Sequence, residues 1–432
     1  MKQILLSLTV LLLFSATLFS QEEMVYRKLA TQAIEARIKL ENPAMVEEKS
    51  MLERFVYEQK NKIEFKKITI PVVFHILYNP GSFYVSSEQV MWQIEALNND
   101  FSMNSLLAQN PDALDEEHAQ KAQDTEISFC LANTNPLGQQ TTGIESVPSS
   151  ANPWRTDDSF KYPENGGIAA WDTKRYLNIW VVSLGDQVSG YAQMPGGPAE
   201  TDGIVIDYRF FGNTGLSNAA FNEGRTLTHL IGNYLGLYDL WGEYPCSDDY
   251  VEDTPIHNAP NSECYPHQHV STCDGNPVEM TMNFMDNTPD ACAYLFTMGQ
   301  KIRMQTFLSE GGPRSGLVQT GATQCDAVQQ SVLSLTSPAT GSNTTDDQVF
   351  SLRAFPNPAT ENLQLEILSS EAGIADLNIT TLTGSLITGE QIELEKGVRS
   401  FDINCRAWPG GIYVIRLKFH NKLIVEKIEV IR

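Results

Sequence analysis

After residue 19 the chain has no run of the about 18 apolar residues that a spanning helix needs, which excludes an internal membrane span. Basic residues are scarce: 30 Lys and Arg stand against 53 Asp and Glu, for a formal charge of -23. That balance argues against nucleic acid and anionic membrane as partners, and the acidic surplus reads as a soluble surface. No interval between cysteines has the C-x2-C form of a structural zinc knuckle. The N-terminal apolar run contains no cysteine to accept a lipid. With 432 residues and 42% hydrophobic composition, the chain is long enough for two or three domains and a sizeable core.

The chain opens with Met1-Lys2-Gln3 and an apolar stretch from Ile4 to Phe19. With Ser20-Gln21 as the cleavage flank, residues 1–20 read as a secretory signal, and no transmembrane anchor is expected. Residues 21–60 read as one or two charged helices, with Ile34, Ile38 and Leu40 on a loose apolar stripe. Thr69 to Tyr78 predicts a central strand in which His75 is a packed core histidine. Ser87 is placed as the N-cap of a helix carrying Val90, Ile94 and Leu97. Asp124 to Ala132 and Leu177 to Leu184 are further strands. Residues 319–349, rich in Ser, Thr, Gln, Ala and Asp, read as a linker. Beyond it, Leu363–Ile367, Ala375–Thr380, Ile412–Phe419 and Leu423–Ile431 alternate in hydrophobicity. Thr383-Gly384 and Pro409-Gly-Gly411 supply turns between them, and residues 350–432 therefore predict a small β-sandwich.

One stretch has the frame of a metal-dependent hydrolase: Arg225-Thr-Leu-Thr-His229-Leu230-Ile-Gly-Asn233-Tyr-Leu-Gly236-Leu-Tyr-Asp239. In H-E-x-x-H, two histidines on one helical face bind zinc and the glutamate takes a proton from the bound water. The longer form adds a glycine turn and a third histidine. Here His229 and Gly236 remain, but Leu230 stands at the base position, Asn233 at the second ligand position and Asp239 at the third. Asp239 could still offer zinc a carboxylate oxygen. Asn233 is a neutral amide, a type zinc disfavours. Leu230 is the most damaging change, because losing a general base costs on the order of 10²–10⁴ in rate. Zinc is therefore expected to be absent or weakly held. Taken alone, Leu227, Ile231, Tyr234 and Leu235 fit a plain buried helix equally well, with His229 a core histidine.

The surrounding text carries more. Gly203-Ile-Val-Ile-Asp207-Tyr-Arg-Phe-Phe-Gly212, the helix above, Asp249-Tyr-Val-Glu-Asp253-Thr254-Pro255 and Met282-Asn-Phe-Met285-Asp286 follow one another in order. From about Val25 to Leu317 the chain resembles the secreted bacterial branch of the pappalysin-like metzincin metallopeptidases. That resemblance implies an α+β metzincin fold over residues 61–318: a twisted five-stranded sheet, a backing helix, an active-site helix and a Met-turn at Met285. It makes residues 21–60 a pro-segment, in which Leu29 of Arg27-Lys-Leu29-Ala-Thr31 replaces the cysteine that caps zinc. It puts Asn287 where the family carries a tyrosine that stabilises the tetrahedral intermediate. It assigns Leu177–Leu184 to the edge strand that receives extended peptide, and Gly190 to Pro198 to a loop beside the cleft. Calcium is a candidate at Asp248, Asp249, Asp253 and Thr254, whose hard oxygens suit it. The His267-Gln-His269 pair has no third ligand nearby and reads as a chance exposure. Seven cysteines in a secreted chain imply disulfides, and the family pattern suggests Cys246–Cys273 and Cys264–Cys292. Cys130 and Cys325 are left to pair, with Cys405 the odd thiol. Residues 350–432, with Phe355-Pro356-Asn357-Pro358, Leu382-Thr-Gly384 and Gly411-Ile-Tyr-Val414, resemble the C-terminal sorting domain of Bacteroidetes type IX secretion cargo. Secretion to the medium or the outer surface of a Gram-negative cell follows, with that secretion machinery as a partner. The expected function is a catalytically inactive family member that binds peptide or another extracellular ligand. The alternatives are a rewired zinc peptidase drawing its base from Glu223, Glu243 or Glu279, and a structural cell-surface protein.

Overall fold

The structure is a computed structural model. It describes residues 27–79, 82–104, 121–149, 153–213, 219–265, 268–318, 325, 350–355, 359–369, 371–381, 386–419 and 422–430. The expected signal over residues 1–20, the linker 319–349 apart from Cys325, His267, Pro356 to Pro358 and the Leu382–Gly384 turn lie outside these residues. The chain divides into two compact units, Met1–Ser337 and Pro338–Arg432.

In the first unit, strand β1 (Ile68–Tyr78) is the spine of a mixed sheet. Its apolar residues point to both faces and nearly all are buried, as a central parallel strand requires. β2 (Ile127–Leu131) pairs with the first half of β1 and β3 (Ile144–Pro148) with the second half, both in parallel. β4 (Leu177–Val182) pairs with β1, and β6 (Ile204–Asp207) with β4. β5 (Gly190–Ala192) runs antiparallel to β6 at the edge. Among the described residues six strands are therefore present, not five, because two short strands share one flank of β1. The strand that the resemblance assigns to the edge is β4, and it lies inside the sheet. All six of its residues are buried, Ile179 and Val181 in one cluster and Trp180 and Val182 in another, so both faces are covered. The edge belongs to the three residues of β5. His75 is fully buried and hydrogen-bonds Glu145 and Asn178 at 2.9 Å each.

Among the described residues five helices surround the sheet: α1 (Thr31–Glu41), α2 (Met45–Gln59), α3 (Ser87–Phe101), α4 (Arg225–Tyr234) and α5 (Met298–Leu308). α3 buries Val90, Ile94, Leu97 and Phe101 against the sheet. Its N-cap is Ser86, one residue before the expected Ser87. Ser86 has the extended backbone of a cap, and its hydroxyl accepts from the Gln89 amide at 3.2 Å. Disulfides join Cys130–Cys325, Cys246–Cys273 and Cys264–Cys292.

The second unit has antiparallel strands β7 (Phe350–Phe355), β8 (Asn362–Ser369), β9 (Gly373–Thr381), β10 (Leu386–Leu394), β11 (Gly397–Asn404), β12 (Gly411–Phe419) and β13 (Lys422–Val430). They form two sheets, β10-β9-β12-β13 and β11-β8-β7. Alternate residues, such as Leu363, Leu365 and Ile367 or Tyr413, Ile415 and Leu417, fill one shared core. This is a β-sandwich, with Cys405 buried in its core.

Candidate active site

All ten residues of α4 are buried. The helix follows Gly224, which has no side chain with which to cap it, and Asp290 supplies the cap from a distant loop. Asp290 Oδ2 accepts from the amides of Glu223 (2.9 Å) and Arg225 (3.2 Å). The helix ends at Gly236, whose φ of +91° turns the chain sharply back. Within it, Gly232 lies against the Met-turn: a Cβ there would stand 2.4 Å from Met285 Sδ. Met285 is fully buried beneath the site.

The turn brings His229, Asn233 and Asp239 together. His229 Nε2 lies 2.9 Å from Asp239 Oδ1, and His229 Nδ1 lies 3.2 Å from the Asp286 carbonyl. The Asn233 amide donates to Asp239 Oδ1 at 3.2 Å and to the Leu237 carbonyl at 3.1 Å. Leu230 is fully buried and faces the edge strand, its Cδ1 2.7 Å from where a Cβ on Gly190 would stand. The three carboxylates considered as substitute bases are engaged elsewhere. Glu223 pairs with Arg225, Glu243 with Lys39 and Lys49, and Glu279 accepts from Asn258 and Asn261.

Over this site runs the segment just before α1. Lys28 and Ala30 exchange backbone bonds with Ser189 and Gly190, so Leu29 bridges the edge strand β5. Arg27 and Asn287 bond reciprocally: Arg27 Nε donates to Asn287 Oδ1, and Asn287 Nδ2 to the Arg27 carbonyl, at 2.9 Å each. The Thr31 hydroxyl donates to Asn233 Oδ1 at 3.0 Å, and Gln32 Nε2 donates to Asp239 Oδ2 at 3.1 Å. Sequence reading did not find Gln32 and the roles of Arg27 and Thr31. The signal was in the motif itself, since Arg27, Ala30 and Thr31 remain around the lost cysteine.

The acidic loop after α4 spends its oxygens on its own chain. Asp248 accepts from Tyr250, Asp249 from Val251 and Thr254, and Asp253 from Thr297 and Gly299 at the start of α5. Among the described residues no three His, Cys, Asp or Glu side chains converge as a metal cluster. Burial raises the Asp249 carboxyl to about 7, against the pull of its hydrogen bonds from Thr254 and Val251. A carboxyl with a raised folded-state value binds more protons folded than unfolded, so its contribution to stability falls as pH rises from about 4 to about 7. In EDTA-treated protein, Asp249→Asn should therefore gain thermal stability relative to the parent as pH rises from about 5 to about 8. A melting-temperature difference that stays constant across that range would contradict it.

Known proteins are similar to this chain. A profile described as Pregnancy-associated plasma protein-A matches residues 165–309, and one described as a secretion system C-terminal sorting domain matches residues 353–431. A solved promirolysin mutant of Tannerella forsythia is 33% identical, with 69% of this chain and all of that one covered, at a TM-score of 0.64. The chain belongs to the pappalysin family of metallopeptidases. Mature mirolysin of Tannerella forsythia, solved with a cleaved peptide, is 36% identical over 61% of this chain and all of its own, with a TM-score of 0.56. An extracellular metalloprotease of Arthroderma benhamiae is 28% identical over 250 residues, 55% of this chain and 71% of the relative. The sorting tail and these extracellular relatives make this pappalysin a secreted or cell-surface protein that engages the type IX secretion machinery. Among the described residues no helix is long and apolar enough to cross a membrane.

These relatives also correct one expectation. The motif predicts zinc to be absent or weakly held, but the homologues are metalloproteases, which points to zinc as the cofactor. In this chain His229 and Asp239 carry donor atoms that zinc accepts, and they would hold it. The Asn233 amide oxygen is turned to Thr31 and adds no third donor.

Proposed function

We propose that this secreted pappalysin does not hydrolyse peptide bonds and keeps its cleft as a peptide-binding groove. The observation that carries the reading is Leu230: an alkyl side chain, fully buried against β5, at the position of the general base. His229 and Asp239 would hold a zinc ion, which would supply a Lewis acid. The proton that hydrolysis must move still has no acceptor at position 230. Asn287 makes the same point on the other side of the cleft, because its amide is committed to Arg27. The groove itself persists. Residues 28–30 lie extended beside Ser189 and Gly190 with backbone hydrogen bonds of the kind that strand addition uses.

The test is a quenched-fluorescent peptide library incubated with the full secreted chain in excess zinc. Turnover should equal that of the His229→Ala variant. Cleavage that disappears on His229→Ala would overturn the reading.

A further inference from the structure

We infer that the peptide this groove holds is the chain's own. Residues Arg27–Gln32 stay in the cleft of the secreted protein as a permanent internal ligand. The altered active-site positions are the contacts that receive them. The inference rests on the reading of the cleft as a peptide groove and adds the identity of its occupant.

Three altered positions support it, each with a different partner in one short segment. At position 233 an amide oxygen accepts from Thr31, whose hydroxyl in turn accepts from the Ala192 amide of β5 at 3.1 Å. At position 239 a carboxylate has a second oxygen to spare. Oδ1 meets His229 and Oδ2 takes Gln32, which also donates to the Gly242 carbonyl at 2.8 Å. A histidine there would offer no such second acceptor. At position 287 one amide both donates and accepts, which closes the reciprocal pair with Arg27. At the fourth position, Leu29 packs on the apolar cluster that contains Leu230. Thiolate and base have been exchanged for a hydrocarbon contact.

The helices that follow are fastened as well. Glu53 of α2 holds the buried Arg303 of α5 with both carboxylate oxygens, at 2.6 and 2.9 Å. Arg37 of α1 pairs with the buried Asp158. Arg27 donates to the Asp286 carbonyl at 2.8 Å and lies 3.6 Å from Asp290. Removing the segment would strip partners from Asn233, Asp239 and Asp290 together, all of them buried. Unpaired buried polar groups oppose such a state.

The test starts with intact-mass analysis of the protein recovered from medium and cell surface, which should begin at or before Arg27. Next comes limited trypsinolysis at the exposed Lys28. Asn287→Tyr lies outside the segment, and Thr31→Ala removes one clamp. Each should speed cleavage after Lys28 by about tenfold, equivalent to one or two hydrogen bonds. A labelled peptide copying residues 25–34 should fail to bind the intact chain. The inference is overturned by an N-terminus beyond residue 32, by variants cleaved no faster than the parent, or by tight binding of the peptide in trans. The two readings fail separately: hydrolysis by an untrimmed chain would overturn both, whereas a chain that begins beyond residue 32 and does not hydrolyse would overturn the occupant alone and leave the proposed function standing.

Discussion

A glutamate returned to position 230 will raise peptide hydrolysis by about 10²–10⁴-fold, provided that position 233 also carries a histidine. The comparison is Leu230→Glu with Asn233→His against Asn233→His alone, both in excess zinc. Asn233→His completes a donor set of two imidazoles and the Asp239 carboxylate, which zinc accepts. The two chains then differ only in whether a carboxylate stands beside the metal to take a proton. Residues 27–32 occupy the cleft in both, so the fraction of open molecules cancels in the ratio. Leu230 is a fully buried member of the main apolar cluster, so the glutamate chain should melt at a lower temperature, and circular dichroism must first show that it folds. Asn287→Tyr on the active background should add about another 10²–10³, the usual worth of one donor aimed at a developing oxyanion. Equal turnover with and without Glu at 230 would mean that another group moves the proton, and the search would return to Asp239.

How far this site could be read from sequence depends on the range of each contact. The α4 stretch was legible because His229, Asn233, Gly236 and Asp239 lie within one helix and its turn. The long β1 and the alternating β8, β9, β12 and β13 were legible for the same reason. The unread strands of the second unit, β7, β10 and β11, are all at sheet edges, where fewer residues need be apolar. β10, for instance, buries only Ile392 and Leu394. β5 is three residues, Gly-Tyr-Ala, too short for any period to show. The misplacement of β4 as an edge strand is of another kind. Leu-Asn-Ile-Trp-Val-Val is apolar on both faces, and that pattern already argued for the middle of the sheet. The clamp on the cleft was beyond local pattern altogether. Thr31 meets Asn233 and Arg27 meets Asn287 across more than two hundred residues, and no periodicity encodes such a pairing.

Asp290 is the residue whose loss should cost the first unit most. Asp290→Ala is expected to lower unfolding free energy by about 3–5 kcal/mol, the range for removing one partner of a buried charge pair. The reason is that one carboxylate serves three groups. Its Oδ2 accepts from the amides on either side of the N-cap Gly224: that of Glu223, and that of Arg225 at the first position of α4. Its charge faces the buried guanidinium of Arg27 at 3.6 Å; the Arg225 guanidinium donates instead to the backbone carbonyl of residue 290, a bond that alanine keeps. Asp290→Asn keeps an oxygen for the cap and loses the charge, so it should fall between parent and alanine. Arg27→Met removes one of two cations and leaves Arg225 with Asp290, and should cost less than Asp290→Ala. The double variant should cost less than the sum of the two singles, because Asp290→Ala leaves Arg27 without its charge partner and Arg27→Met removes that stranded cation. Urea unfolding of the four chains gives all these numbers at once. Strict additivity would place Arg27 outside the network that holds α4, and the link between segment and active-site helix would then be one of proximity alone.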